Sequence, residues 1–121
     1  MFIVNTKKVV DITAGDGTYI KELMSPVRDN VKAGYSLALA TVKRGGKSLP
    51  HRLKSSSEVY LIIRGTGLIH IAEEVMEVKE GQIVYIPPGS IQYIENIGDG
   101  DLVFYCIVDP PWSQEDEEVL V

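Results

Sequence analysis

The chain has 121 residues, 45% of them hydrophobic and 24% charged, with a formal net charge of −5. That is enough for one packed domain, here residues 1–121, and it leaves no room for a second. The composition is that of a water-soluble globular protein, and no apolar run approaches the ~20 residues of a membrane-spanning helix. Nucleic acid is an unsuitable partner, because no basic patch interleaved with aromatics is present. The opening MFIVNTKKVVDI lacks the basic and long apolar regions of a secretion signal, so a cytoplasmic location is expected. The basic residues crowd into the first half: residues 1–65 carry 11 basic and 5 acidic side chains, and residues 66–121 carry 1 and 12. A fold that interleaves the halves would bring the two sets together.

From the N-terminus onward, short β-prone runs alternate with Gly, Pro, Asn and Asp. They are TYIKELM, GYSLALATV, EVYLII, GLIHIA, VMEV, QIVYIP, IQYIEN and LVFYCIV. Such spacing predicts an all-β sandwich or barrel. Arg64-Gly65-Thr66-Gly67 predicts a tight hairpin, with Ile62 facing Ile69 and Tyr60 facing Ile71. In that register His70 points away from the interior, toward the surface or a subunit contact. Pro87-Pro88-Gly89 forces a bend that delivers Gln92 onto the next strand, and the segment from Asn96 to Asp101 closes that strand. Cys106, the single cysteine, stands in an apolar run and is expected to be a small buried side chain. Beyond Pro110-Pro111, Ser113 and Asp116 suit the cap of a short acidic helix, and the EDEE run suits a solvated surface.

Two spaced patterns stand out: Gly45, His51, Leu53, Glu58, Gly65 as G-x5-H-x-L-x4-E-x6-G, and Gly81, Pro87, Gly89, Gln92, Asn96 as G-x5-P-x-G-x2-Q-x3-N. Together they resemble the two motifs of the cupin family, in the compact, mannose-6-phosphate-isomerase-like form of small microbial members. The resemblance implies an all-β double-stranded β-helix (jelly-roll) barrel with a short C-terminal acidic tail or helix. It also implies a ligand site at the open end of the barrel. Metal-bearing cupins use two histidines two residues apart, a glutamate and a third histidine. Carried over, the metal set is His51, Glu58 and Gln92, with Leu53 and Gln92 at usual histidine positions. A set of one imidazole, one carboxylate and one amide favours Mn, Fe, Ni or Mg over tight zinc. No organic cofactor is expected.

Without metal, His51 and Glu58 form a candidate acid–base pair, since a carboxylate partner fixes an imidazole tautomer and raises its basicity. Tyr60, two residues beyond Glu58, shares its inward face and is the candidate acid, as in metal-free sugar epimerases of the superfamily. Tyr85 is a further pocket candidate, with Tyr35 and Tyr19 behind it. Arg44 and Lys47 flank the first motif and suit attraction of an anion at a pocket mouth. The expected function is binding of a small sugar-like or anionic molecule, with isomerase- or epimerase-type proton transfer. The alternatives are a non-catalytic binding or sensing module with a degenerate metal site, and an assembly scaffold. The apolar opening MFIV and Val9-Val10 suit the covering of an exposed sheet edge in a homodimer.

Overall fold

A computed structural model describes residues 1–120, and the inward row of each strand explains its shape. After a 3₁₀ turn at Thr6–Lys8, strands β1 (Ile12–Thr13) and β2 (Tyr19–Met24) lead through the one-turn helix α1 (Pro26–Asp29) to β3 (Ser36–Val42). Then follow β4 (His51–Leu53), β5 (Ser57–Arg64), β6 (Thr66–Ile71), β7 (Glu74–Lys79), β8 (Ile83–Ile86), β9 (Gln92–Asn96), β10 (Leu102–Asp109) and β11 (Glu117–Val119). Every pairing between them is antiparallel, in two sheets of order β1-β2-β3-β10-β5-β8 and β11-β4-β9-β6-β7. This is the jelly-roll barrel that the two motifs imply.

Alternation sorts the side chains. In β5 it turns Glu58, Tyr60 and Ile62 inward, and in β10 Leu102, Phe104, Cys106 and Val108. One end of the barrel is packed solid by Ile62, Ile94, Leu102 and Phe104, all nearly without exposure. Toward the other end the same rows become smaller or polar, through Cys106 opposite Tyr60 and Val108 opposite Glu58, and the interior opens. Phe104 and Tyr60, with ring centroids 4.4 Å apart, divide the two regions.

The Gly65 turn departs from expectation. Strands β5 and β6 do not pair as a hairpin: β5 lies between β10 and β8 in one sheet, and β6 between β9 and β7 in the other. Gly65 is therefore the corner where the chain changes sheets. Its φ of +88° and its approach to Asp101, where an added Cβ would lie 2.6 Å from the carbonyl oxygen, leave space for glycine alone. His70 still faces outward, but the register with β9 decides it: the ring stacks on Tyr93 at 4.0 Å and Nε2 lies 2.9 Å from a Glu95 oxygen. Asn96 closes its turn as expected, donating from Nδ2 to the Val42 and Gly100 carbonyls while Oδ1 accepts from the Gly98 amide.

The acidic tail runs as a strand. Asp116 accepts bonds from the Ser55 and Ser56 amides and the Ser55 hydroxyl, which docks the segment on the start of β5. β11 then pairs with β4, setting Glu117 opposite Leu53 and Glu118 opposite Arg52. The outward pair Arg52–Glu118 is 2.7 Å apart, and the inward Glu117 reaches the hollow end of the barrel.

Candidate functional site

The hollow end is a cavity of about 240 Å³. Most of its wall is apolar, including Ile20, Met24, Ala38, Leu53, Phe104 and Val108, and its polar groups gather where β4, β11 and the β1–β2 turn meet. His51 opens β4 on its inward row, with Leu53, and is 3% exposed. Its Nδ1 lies 2.8 Å from the Leu49 carbonyl oxygen, which can only accept. A neutral ring therefore carries its proton on Nδ1 and presents the Nε2 lone pair to the cavity.

Nε2 faces Asp16 Oδ2 at 3.7 Å. Asp16 sits in the β1–β2 turn, where Oδ1 accepts from the Thr18 amide at 3.1 Å and the Thr18 hydroxyl at 2.7 Å. Those bonds fix the carboxylate and leave Oδ2 toward His51. Glu117 approaches from β11, its Oε2 accepting from Trp112 Nε1 at 3.2 Å. Burial pushes the Glu117 carboxyl up, against the pull of His51. Asp16, His51 and Glu117 each offer a ligand atom within 4.8 Å of the others.

A second polar chain lines the wall beside it. Tyr60 donates its hydroxyl to Gln92 Oε1 at 2.7 Å, and Gln92 Nε2 donates to Glu58 Oε1 at 3.1 Å. Burial pushes the Glu58 carboxyl up to about 8, only partly opposed by the Gln92 bond, so it is protonated at neutral pH. The Tyr60 phenol is likewise raised by burial and by Glu58, and Cys106 by burial and Glu58.

The sequence-derived residues thus divide. His51, Glu58 and Tyr60 line the cavity, and Gln92 stands behind them, fully buried. Glu58 is bonded to Gln92, while His51 is oriented by Leu49 and faces Asp16. Arg44 and Lys47 lie exposed in the β3–β4 connection and do not reach the cavity. Tyr85 is 60% exposed, because alternation along β8 buries Val84 and Ile86 instead. Tyr19 and Tyr35 are also exposed. Asp16 and Glu117 were hidden in the sequence: one reads as an Asp-Gly turn and the other as part of a charge run. Trp112, beside the two prolines, was the one local hint of what the tail approaches.

The usual four-ligand arrangement of this barrel does not fit here. Leu53 offers no donor, and in this structure Glu58 Oε1 accepts from Gln92 while Gln92 Oε1 accepts from Tyr60.

The family sequence model described as "Cupin domain" matches residues 38–108. The chain belongs to the cupin family. It is 41% identical over 99% of its length to an uncharacterized protein of Methanocaldococcus jannaschii, covering 97% of that protein. A curated "Oxalate-binding protein" of Thermotoga maritima is 29% identical over 48% of both chains. Among solved structures, a predicted oxalate decarboxylase from Thermotoga maritima superposes with a TM-score of 0.78 at 23% identity, covering 90% of this chain and 99% of that one. At that identity the likeness concerns the fold. No helix among the described residues is long and apolar enough to cross a membrane.

Proposed function

We propose that this cupin binds a compact, uncharged small molecule inside the barrel, its apolar body against Ile20, Met24, Leu53 and Phe104 and one hydroxyl or carbonyl group toward His51. The observation that carries this is the cavity's composition: a mostly apolar wall, carboxyl groups at Asp16, Glu22, Glu58 and Glu117, and no Lys or Arg among its lining residues. A carboxylate or phosphate ligand would meet carboxyl groups with no cationic side chain to offset them. An uncharged head group can donate to His51 Nε2 or Asp16 Oδ2. The volume suits such a ligand, since an apolar cavity of roughly 150 Å³ already admits benzene. A polyhydroxylated sugar would leave most of its hydroxyls unpaired against the apolar wall. For the oxalate named for the Thermotoga relatives, side chains alone supply no counter-charge.

Binding rather than proton transfer is the reading favoured here. Tyr60 holds its proton in a bond to Gln92, and its raised phenol suits it poorly to act as an acid. The test is a thermal-shift screen of metal-free protein against small aromatic alcohols, ketones, polyols and dicarboxylates. A ligand at about 100 times its Kd adds ~2.7 kcal/mol. Hits are expected among the uncharged, mostly apolar compounds, and they should weaken in His51→Ala. Stabilisation by dicarboxylates alone would overturn the proposal.

We also propose a homodimer. Met1, Ile3, Val10 and Ile12 are exposed next to the edge strand β1, an arrangement a second copy would cover. The expected mass in solution is twice that of the chain.

A further inference from the structure

We propose that Asp16, His51 and Glu117 form a divalent-cation site, displaced from the ligand positions usual in this barrel, with a donor set that accepts ions of the Mn²⁺ and Fe²⁺ kind. It rests on the cavity described above and deepens the reading of its polar end.

The three donors come from separate segments, the β1–β2 turn, the start of β4 and the start of β11, and they converge within 4.8 Å. Each has one atom occupied and one left for an ion. His51 spends Nδ1–H on Leu49, so its lone pair is at Nε2. Asp16 spends Oδ1 on Thr18 and turns Oδ2 inward. Glu117 has Oε2 on Trp112. The His51 ring is 3% exposed, yet among the described residues its inward nitrogen has no hydrogen-bond partner, because 3.7 Å to Asp16 is too long for a bond. A ring nitrogen that lines the cavity and faces a carboxylate across such a gap leaves room between two acceptors for a shared electrophile.

A cation supplies it. Metal–ligand bonds of ~2.1 Å separate two ligands of one ion by roughly 3.0 to 4.2 Å, so the three groups need only a small contraction to converge. Imidazole held by a backbone carbonyl and carboxylates held by neighbouring donors are the supports that metal ligands commonly have. One imidazole and two carboxylates without thiolate suit Mn²⁺ or Fe²⁺, and leave coordination positions open to the cavity. Two carboxylates balance the dication, so the polar end becomes neutral, and with the ion in place an oxygen-bearing ligand would meet the ion's open positions instead of His51 Nε2 and Asp16 Oδ2.

The experiment titrates Mn²⁺ into chelator-treated protein without any organic ligand. Calorimetry and the loss of the free-Mn²⁺ electron paramagnetic resonance signal are the readouts. About one equivalent should bind. Asp16→Asn and Glu117→Gln keep the bonds to Thr18 and Trp112, so both variants should remain folded by circular dichroism and lose at least tenfold in affinity. Glu58→Gln, which alters the usual family position, should bind as the parent does. The proposal is overturned if the parent binds no Mn²⁺. It is equally overturned if Glu58→Gln abolishes binding while Asp16→Asn and Glu117→Gln retain it. Because the ligand screen uses metal-free protein, failure of the metal site and failure of the ligand reading are separate results.

Discussion

Replacing Glu58 by Gln should make the protein more stable at neutral pH, and the gain should vanish in acid. Glu58 is 8% exposed, and burial lifts its carboxyl from an ordinary 4.5 to about 8. Because the folded state holds this proton more tightly than the unfolded chain, the stabilisation is complete below the unfolded value and is lost as pH rises toward the folded one. Between pH 5 and pH 7 the unfolded carboxyl is largely ionised while the folded one stays protonated, a difference worth about 2.5 kcal/mol at 1.36 kcal/mol per unit. Glutamine keeps the oxygen that accepts from Gln92 Nε2 and has no proton to lose. Urea denaturation of both proteins at several pH values gives the comparison. The parent should lose about 2.5 kcal/mol more than Glu58→Gln between pH 5 and pH 7. Glu117, also raised by burial, acts with the same sign in both proteins and cancels in the difference. Parallel pH profiles for the two would refute the argument, because they would mean that the Glu58 carboxyl ionises as freely as in water.

Two further substitutions test the frame around the site. Gly65→Ala places a Cβ 2.6 Å from the Asp101 carbonyl oxygen at a φ of +88°, so the corner between the sheets must shift. The backbone conformation alone costs about 1–2 kcal/mol and the overlap adds to it, read as a lowered urea midpoint with an unchanged slope. Asp116→Ala removes the bonds to Ser55 and Ser56 that dock the tail, at a cost of about 1–2 kcal/mol. The tail should then loosen, seen as faster amide exchange in β11 and a more solvent-exposed Trp112 fluorescence.

The barrel was legible in the sequence because local rules write it. Alternating β-prone runs, glycines at turns, Pro87-Pro88-Gly89 and Asn96 act over a few residues, and each leaves a mark at fixed spacing. The inward placement of His51, Glu58 and Gln92 was implied by the resemblance, and that of Tyr60 followed from Glu58 by the two-residue period. Strand partnership did not follow: Gly65 has the chemistry of a hairpin, and only the competition between two sheets for β5 and β6 makes it a corner. The site was half legible for a related reason. The sequence could present His51 and Glu58 as a pair, but hydrogen bonds made across the barrel tie Glu58 to Gln92 and leave His51 facing Asp16 and Glu117. Those two carboxylates lie 101 residues apart and carry the local signatures of a turn and of a solvated tail. Their convergence depends on the docking of β11 beside β4, a contact between distant segments that no pattern along the chain records. Local geometry thus determined the β-strand content and the two-residue alternation, and the resemblance of the two motifs implied the barrel, whereas the pairing of strands remote in sequence decided which groups meet inside it.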